Sequence, residues 1–258
     1  MKELLILDNV NYSYNTEKTE THAIENLSFK IGEGEFVALI GPSGCGKTTV
    51  LSLIAGLLTP TDGKIILNGN EVNGCSNDIG YMLQRDELFP WRTIEKNVFL
   101  PLEIKKMNTQ KNRDYAISLL DKYGLKDFKK SYPHQLSGGM RQRVALIRTL
   151  VSNPDLLLLD EPFSALDYQT RLTVCNDVYS VIKKERKTAL LVTHDISEAL
   201  SLADRILVLS KRPAKILHEH EYDVDPSVTP LKRRESKDFG KRFDILWREL
   251  EDERNKLK

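Results

Sequence analysis

Cysteine is scarce in this chain: Cys45, Cys75 and Cys175 are the only three in 258 residues. They form no CxxC pair and no Cys/His cluster, and an odd count in a chain this long argues against a disulfide framework and for a reducing compartment. Long apolar runs are also missing. The stretch from Leu4 to Leu7 is broken by Asp8; it is too short for a signal-peptide core, and no run approaches the ~18 residues of a membrane span. The expected location is therefore cytoplasmic, with any membrane spans supplied by another protein. A surplus of basic charge is absent as well, since 38 Lys and Arg face 37 Asp and Glu. That balance disfavours a dedicated nucleic-acid binder. There are no internal repeats and no low-complexity segments.

Strand and helix signals alternate along the chain. Residues 4–10 and 27–31 read as strands, joined by a polar loop from Asn15 to Thr21. Phe36 to Ile40 is a continuous apolar run ending at Gly41, the pattern of a strand buried on both faces. Residues 64–68 give another short strand before Gly69. From Glu87 to about Leu150 a helical period takes over, with Tyr115, Ile117, Leu119, Leu120 and Tyr123 near one face and Gly124 as a stop. Strands return at residues 156–159, 189–193 and 206–209, separated by helices, one over residues 169–184. This order predicts a parallel sheet with right-handed crossovers and a helical insertion. Pro226 and Pro230 precede a charged stretch. Residues 236–258 then read as a surface helix with Phe243, Leu246, Trp247 and Leu250 as an apolar stripe.

Two segments carry phosphate chemistry. Gly41-Pro42-Ser43-Gly44-Cys45-Gly46-Lys47-Thr48 matches GxxxxGK[ST] between a buried strand and a helix. Glycines let backbone N–H groups turn toward phosphate oxygens, and the following helix presents its positive end. Lys47 reaches the β and γ phosphates, and the Thr48 hydroxyl is placed for Mg²⁺. Cys45, beside a cation, is expected to be a reachable, acidified thiol that ATP protects from alkylation. Four leucines then lead to Asp160 and Glu161 at a strand end, where a ligand crevice forms. Asp160 would face Mg²⁺, and Glu161 would polarise water. Before the next helix signal, Leu136-Ser137-Gly138-Gly139-Met140 offers Ser137 as an N-cap and bare N–H groups as a second anion site.

In this order, the phosphate loop, LSGGM, LLLLDE, Ser164-Ala165-Leu166-Asp167 and a lone His194 after a strand resemble the ABC transporter ATPase family over residues 4–217. The resemblance implies a P-loop NTPase core with a mainly parallel sheet, an N-terminal antiparallel β subdomain and an inserted helical subdomain at about 87–150. Residues 1–225 would form the ATPase domain and 226–258 a charged helical tail. It further implies ATP and Mg²⁺ as cofactors and a homodimer in which Ser137, Gly138 and Gly139 of one copy meet the γ-phosphate held at Lys47 of the other. Asp167 would link the two sites. ATP would rest on residues 41–48 and Thr49, with Tyr14 stacked on adenine and Tyr12 its nearest competitor. Gln84 would sense Mg²⁺ and the attacking water, and His194 would contact the γ-phosphate. Without the family, Gln84 reads as a surface glutamine and His194 as a satisfied polar residue.

The function implied is that of an ATPase subunit at the cytoplasmic face of the membrane, bound to integral permease subunits and served indirectly by an extracytoplasmic solute-binding protein. Residues 85–98, Tyr132-Pro133-His134-Gln135 and Arg212-Pro213-Ala214-Lys215-Ile216 are similar to importer ATPases of the nitrate, sulfonate and taurine group, which includes uptake systems for thiamine pyrimidine precursors. Phe89, Pro90 and Trp91 are expected either to line a groove for a permease helix or to pack inside the helical subdomain. An exporter or lipoprotein-release subunit, or a soluble ABC ATPase, are the alternatives. The coiled coil of chromosome-maintenance ATPases and the paired cassettes of translation ABC proteins are absent from this sequence.

Overall fold

A computed structural model describes residues 2–15, 19–223, 225 and 227–255, apart from the side chain of Arg254. Part of the expected loop after Asn15, Pro226 and the end of the tail helix at Lys258 lie outside the described residues. Two sheets organise the chain. The first is antiparallel, in the order β2(Glu20–Gly32), β1(Glu3–Asn15), β4(Asp62–Leu67), β5(Asn70–Glu71). Its first two strands run well past the expected limits, because residues 12–15 still pair with residues 20–24 across the ladder.

The second sheet has the order β10(Ile216–Glu221), β9(Arg205–Leu209), β3(Phe36–Ile40), β8(Thr188–Val192), β7(Leu156–Asp160), β6(Ile79–Met82). All neighbours are parallel except β10, which returns antiparallel along β9. Its continuous apolar runs have a simple cause. Phe36, Ala38, Ile40, Leu157 and Leu159 enter one hydrophobic cluster, while Val37, Leu39, Leu156 and Leu158 enter another on the opposite face. Successive side chains in a strand alternate faces, so two-sided burial requires an apolar residue at every position.

One face carries α1(Lys47–Ile54) and the antiparallel sheet. The other carries α2(Ile94–Ile104), α3(Gln110–Lys122), α4(Gly138–Leu150), α5(Tyr168–Lys184), α6(Ile196–Leu202) and the tail helices α7(Pro230–Arg234) and α8(Phe239–Asn255). On α3 the buried positions are Ala116, Leu119 and Leu120, with Tyr115, Ile117 and Tyr123 half-buried. Gly124 ends that helix at φ +74°. In α8 the expected stripe divides: Leu246 and Leu250 are buried in the core cluster, whereas Trp247 is exposed and stacks on half-buried Phe243.

Candidate phosphate-loop and carboxylate site

The strand order places β3, β8, β7 and β6 side by side, so the chain segments leaving their C-terminal ends are neighbours. These segments carry Lys47, His194, Glu161 and Gln84 respectively. Loop 41–46 turns through Gly44 at φ +73° and Gly46 at φ +122°, conformations that a Cβ would strain. Gly46 is the N-cap of α1 and supplies no side-chain bond to its first turn. The free N–H groups of that turn, with the helix dipole, are suited to an anion. Lys47 is 7% exposed and its Nζ donates to the carbonyls of Gly41 at 2.8 Å and Pro42 at 2.9 Å. A buried ammonium is thus held by two neutral carbonyls within reach of the loop's own N–H groups.

The expectation for Cys45 fails. Its side chain is 2% exposed, and burial pushes the thiol pKa up despite the nearby Lys47 cation. Desolvation of a thiolate outweighs attraction to one charge already engaged elsewhere. Cys75 is the exposed cysteine.

Asp160 lies at the tip of β7, largely buried. Thr48 Oγ1 is 3.4 Å from its Oδ1, and Tyr81 Oη donates to its Oδ2 at 3.4 Å. Burial raises the Asp160 pKa, hydrogen bonding from Thr48 opposes the rise, and the Glu161 charge adds to it. A desolvated carboxylate beside a hydroxyl is a hard oxygen donor set, the kind that suits Mg²⁺ with water completing its shell. Among the described residues no group of three or more His, Cys, Asp or Glu could hold a metal by itself.

Glu161 sits at φ +44°, turned away from Asp160, with its N–H on Val192 O at 2.9 Å. Its Oε2 receives Gln84 Nε2 at 3.3 Å and lies 3.0 Å from His194 Nδ1. Gln84 Nε2 also reaches Ser164 Oγ at 3.4 Å. Two side chains from the ends of the flanking strands, Gln84 and His194, therefore converge on one carboxylate. Beneath them Thr193 donates to buried Glu198 at 2.6 Å, and burial pushes the Glu198 pKa up to about 7. Sequence reading gave no part in the site to Tyr81, Ser164 or Glu198, whose contacts arise only through the fold.

The other expected residues lie apart. Tyr14 is exposed, bonds Thr49 Oγ1 through its hydroxyl at 3.1 Å, and holds Tyr12 edge-to-face at 4.9 Å. Ser137 caps α4 by accepting from Met140 N. A Cβ on Gly139 would lie 2.9 Å from Thr170 Cγ2, so close packing on α5 demands glycine there. Gly138 is tight against Leu166. Asp167 caps α5 by accepting from Thr170 N, and those bonds hold its carboxyl below the usual range. Trp91 is 72% exposed and stacks on exposed Phe89 at 5.0 Å, which excludes packing inside the helical layer. Fully buried Asn97 fixes this turn by accepting from Phe89 N and donating to the carbonyls of Phe89, Arg92 and Thr93. Arg141 pairs with Asp86 at 2.9 Å, and Arg148 donates to the carbonyls of Asp86 and Glu87, so the turn hangs on α4.

The model of the ABC transporter family matches residues 24–164. An uncharacterized ABC transporter ATP-binding protein, YtlC of Bacillus subtilis, is 46% identical over 95% of this chain and 95% of its own length. The taurine import ATP-binding protein TauB of Pelagibacter ubique is 43% identical, covering 84% of this chain and 82% of its own. Among solved structures, a dimeric post-hydrolysis state of the ATP-binding cassette MJ0796 bound to ADP and Pi superposes with a TM-score of 0.73 at 33% identity, over 86% of this chain and 100% of that one. With its phosphate loop, strand-tip acids and LSGGM helix set in that fold, the chain belongs to the ABC transporter family as an ATP-binding subunit that hydrolyses ATP.

Proposed function

We propose that two copies of the chain pair head to tail and clamp two MgATP molecules to drive an importer of a small solute. The observation that carries the chemistry is the convergence of Gln84, His194 and Glu161, beside Thr48 and Asp160. In this reading Lys47 leaves the carbonyls of Gly41 and Pro42 for the β and γ phosphates. Loop N–H groups of residues 41–48, with Thr49, cradle the phosphates, and Tyr14 stacks on the adenine. Thr48, Asp160 and Gln84 would hold Mg²⁺, which when bound neutralises phosphate charge. Glu161 orients water for in-line attack and takes its proton, while His194 and the Ser137–Gly139 segment of the other copy face the γ-phosphate. Asp167 lies at the junction of the two copies.

The dimeric MJ0796 cassette supports the paired arrangement. The taurine import relative supports the direction of transport and a sulfonate-like solute; nitrate and thiamine pyrimidine precursors belong to the same expectation. No helix among the described residues is long and apolar enough to cross a membrane. Membrane work then needs a permease, reached from the cytoplasmic face through exposed Phe89 and Trp91, with a solute-binding protein acting on the far side. Residues 1–225 would be the motor and 226–258 its tail. Two experiments test this. Glu161→Gln should elute as a dimer with ATP and magnesium and as a monomer without; monomer in both removes the clamp. A tagged chain should co-purify with a multispanning protein, and loss of that partner should follow Trp91→Glu while basal hydrolysis persists.

A further inference from the structure

We propose that Arg212 is a positioning residue for the phosphate loop and that the C-terminal helix sets it through Glu253. Arg212 donates to the Gly44 carbonyl twice, from Nη2 at 3.0 Å and Nε at 3.3 Å. Gly44 is at the tip of the loop, in a left-handed conformation at φ +73°. A phosphate cradle works only while its N–H groups face inward and its carbonyls face away, since a carbonyl turned inward would repel the anion. The guanidinium holds the Gly44 carbonyl outward and so removes a competing loop conformation. Ordering the loop beforehand lowers what phosphate binding must otherwise spend on it.

The turn that carries Arg212 is anchored through both neighbouring segments. The Ala214 N–H donates to Ala23 O at 2.8 Å, and Glu25 N donates to Ala214 O at 3.1 Å, which ties the turn after β9 to the antiparallel sheet. Before Arg212, the Lys211 N–H donates to Glu253 Oε2 at 3.2 Å. Glu253 is 3% exposed, near the end of α8, one turn beyond core residue Leu250. A carboxylate so buried is costly unless hydrogen-bonded, so its seat at this turn is specific. The same helix is pinned to β10 by Glu249 on His220 at 2.9 Å. A continuous path thus runs from the tail to the nucleotide loop without touching Glu161 or His194.

The test is nucleotide binding and steady-state ATPase kinetics of the full chain carrying Arg212→Ala, Arg212→Lys, Glu253→Ala or the double change, each with a thermal melt. Arg212→Ala should raise the Kd and KM for MgATP about five- to tenfold while kcat stays within about twofold. Lysine, a point charge without the fork, should recover only part. Glu253→Ala should give a rise of about two- to threefold, and the double change should be no worse than Arg212→Ala alone, since both act through one contact. If Glu253→Ala does not fold, Glu253→Asp, which withdraws the oxygen by one methylene, should show the same smaller rise. Parental Kd and KM in a normally melting Arg212→Ala chain would overturn the proposal. Additive losses in the double variant, or parental values for Glu253→Asp, would overturn the tail's part. A parent chain that bound no ATP would instead indict the ATP-site reading, which the control shows separately.

Discussion

The two glycine-rich helix starts of this molecule are built differently. At α1 the N-cap is Gly46, which bonds nothing with its side, and the loop before it wraps a buried lysine. At α4 the N-cap is Ser137, whose hydroxyl already accepts from Met140 N on an exposed corner. Their surroundings differ too. Near α1 the acid Asp160 is desolvated and its pKa raised; near α4, exposed Asp167 is lowered by its own cap bonds. The first start leaves its first-turn N–H groups without a side-chain cap, which suits an anion. The second is a stable helix end that can still donate its serine proton outward, since a hydroxyl accepts and donates at once. In the proposed dimer the first would supply affinity, and the second would supply contact to a phosphate held by the other copy.

Breaking the carboxylate between them has the largest expected effect. Glu161→Gln should lower kcat roughly 100- to 10,000-fold while ATP still binds, read by single-turnover assays and equilibrium binding. Lys47→Ala should weaken MgATP binding by roughly 100-fold, because a charge-assisted contact to phosphate is lost. Glu198, on the helical face behind His194, extends the comparison to a buried acid outside both helix starts. Its folded pKa of about 7 exceeds its ordinary 4.5, so the folded chain carries the extra proton and stability falls as pH rises through that window. Glu198→Gln should flatten the fall and stabilise the chain by on the order of 2 kcal/mol at pH 8, measured by denaturant unfolding. Ser137→Ala should cost about 1 kcal/mol of stability as a lost cap and slow hydrolysis about tenfold, with the affinity of the single chain for ATP unchanged. A fall in that affinity would erase the division of labour. The smallest effect is a null: maleimide should label Cys75 and spare Cys45 with or without nucleotide.

Sequence made the parallel core legible because β3 is apolar at every position and β7 is apolar up to its terminal Asp160, and it made the phosphate loop legible because its chemistry is contiguous. It missed β6, a four-residue strand whose Gly80 breaks the apolar run; a Cβ there would lie 2.7 Å from Thr149 Cγ2. It missed β10, an edge strand of alternating histidine and glutamate that reads as a charged loop. Cys45 was misjudged since proximity to a cation can be read along the chain but desolvation cannot. The Gln84–Glu161–His194 meeting was known only through the family resemblance, because it joins three strands that sequence leaves far apart.

The stacked Phe89 and Trp91 have a consequence for the chain before assembly. Asn97 fixes the backbone of the turn that presents them to water, where they gain nothing by staying exposed. Chains synthesised in excess of whatever covers this pair should be sticky, drawn into aggregates or toward proteolysis. Production of the subunit on its own would then be limited by this corner of the surface rather than by the strength of its core.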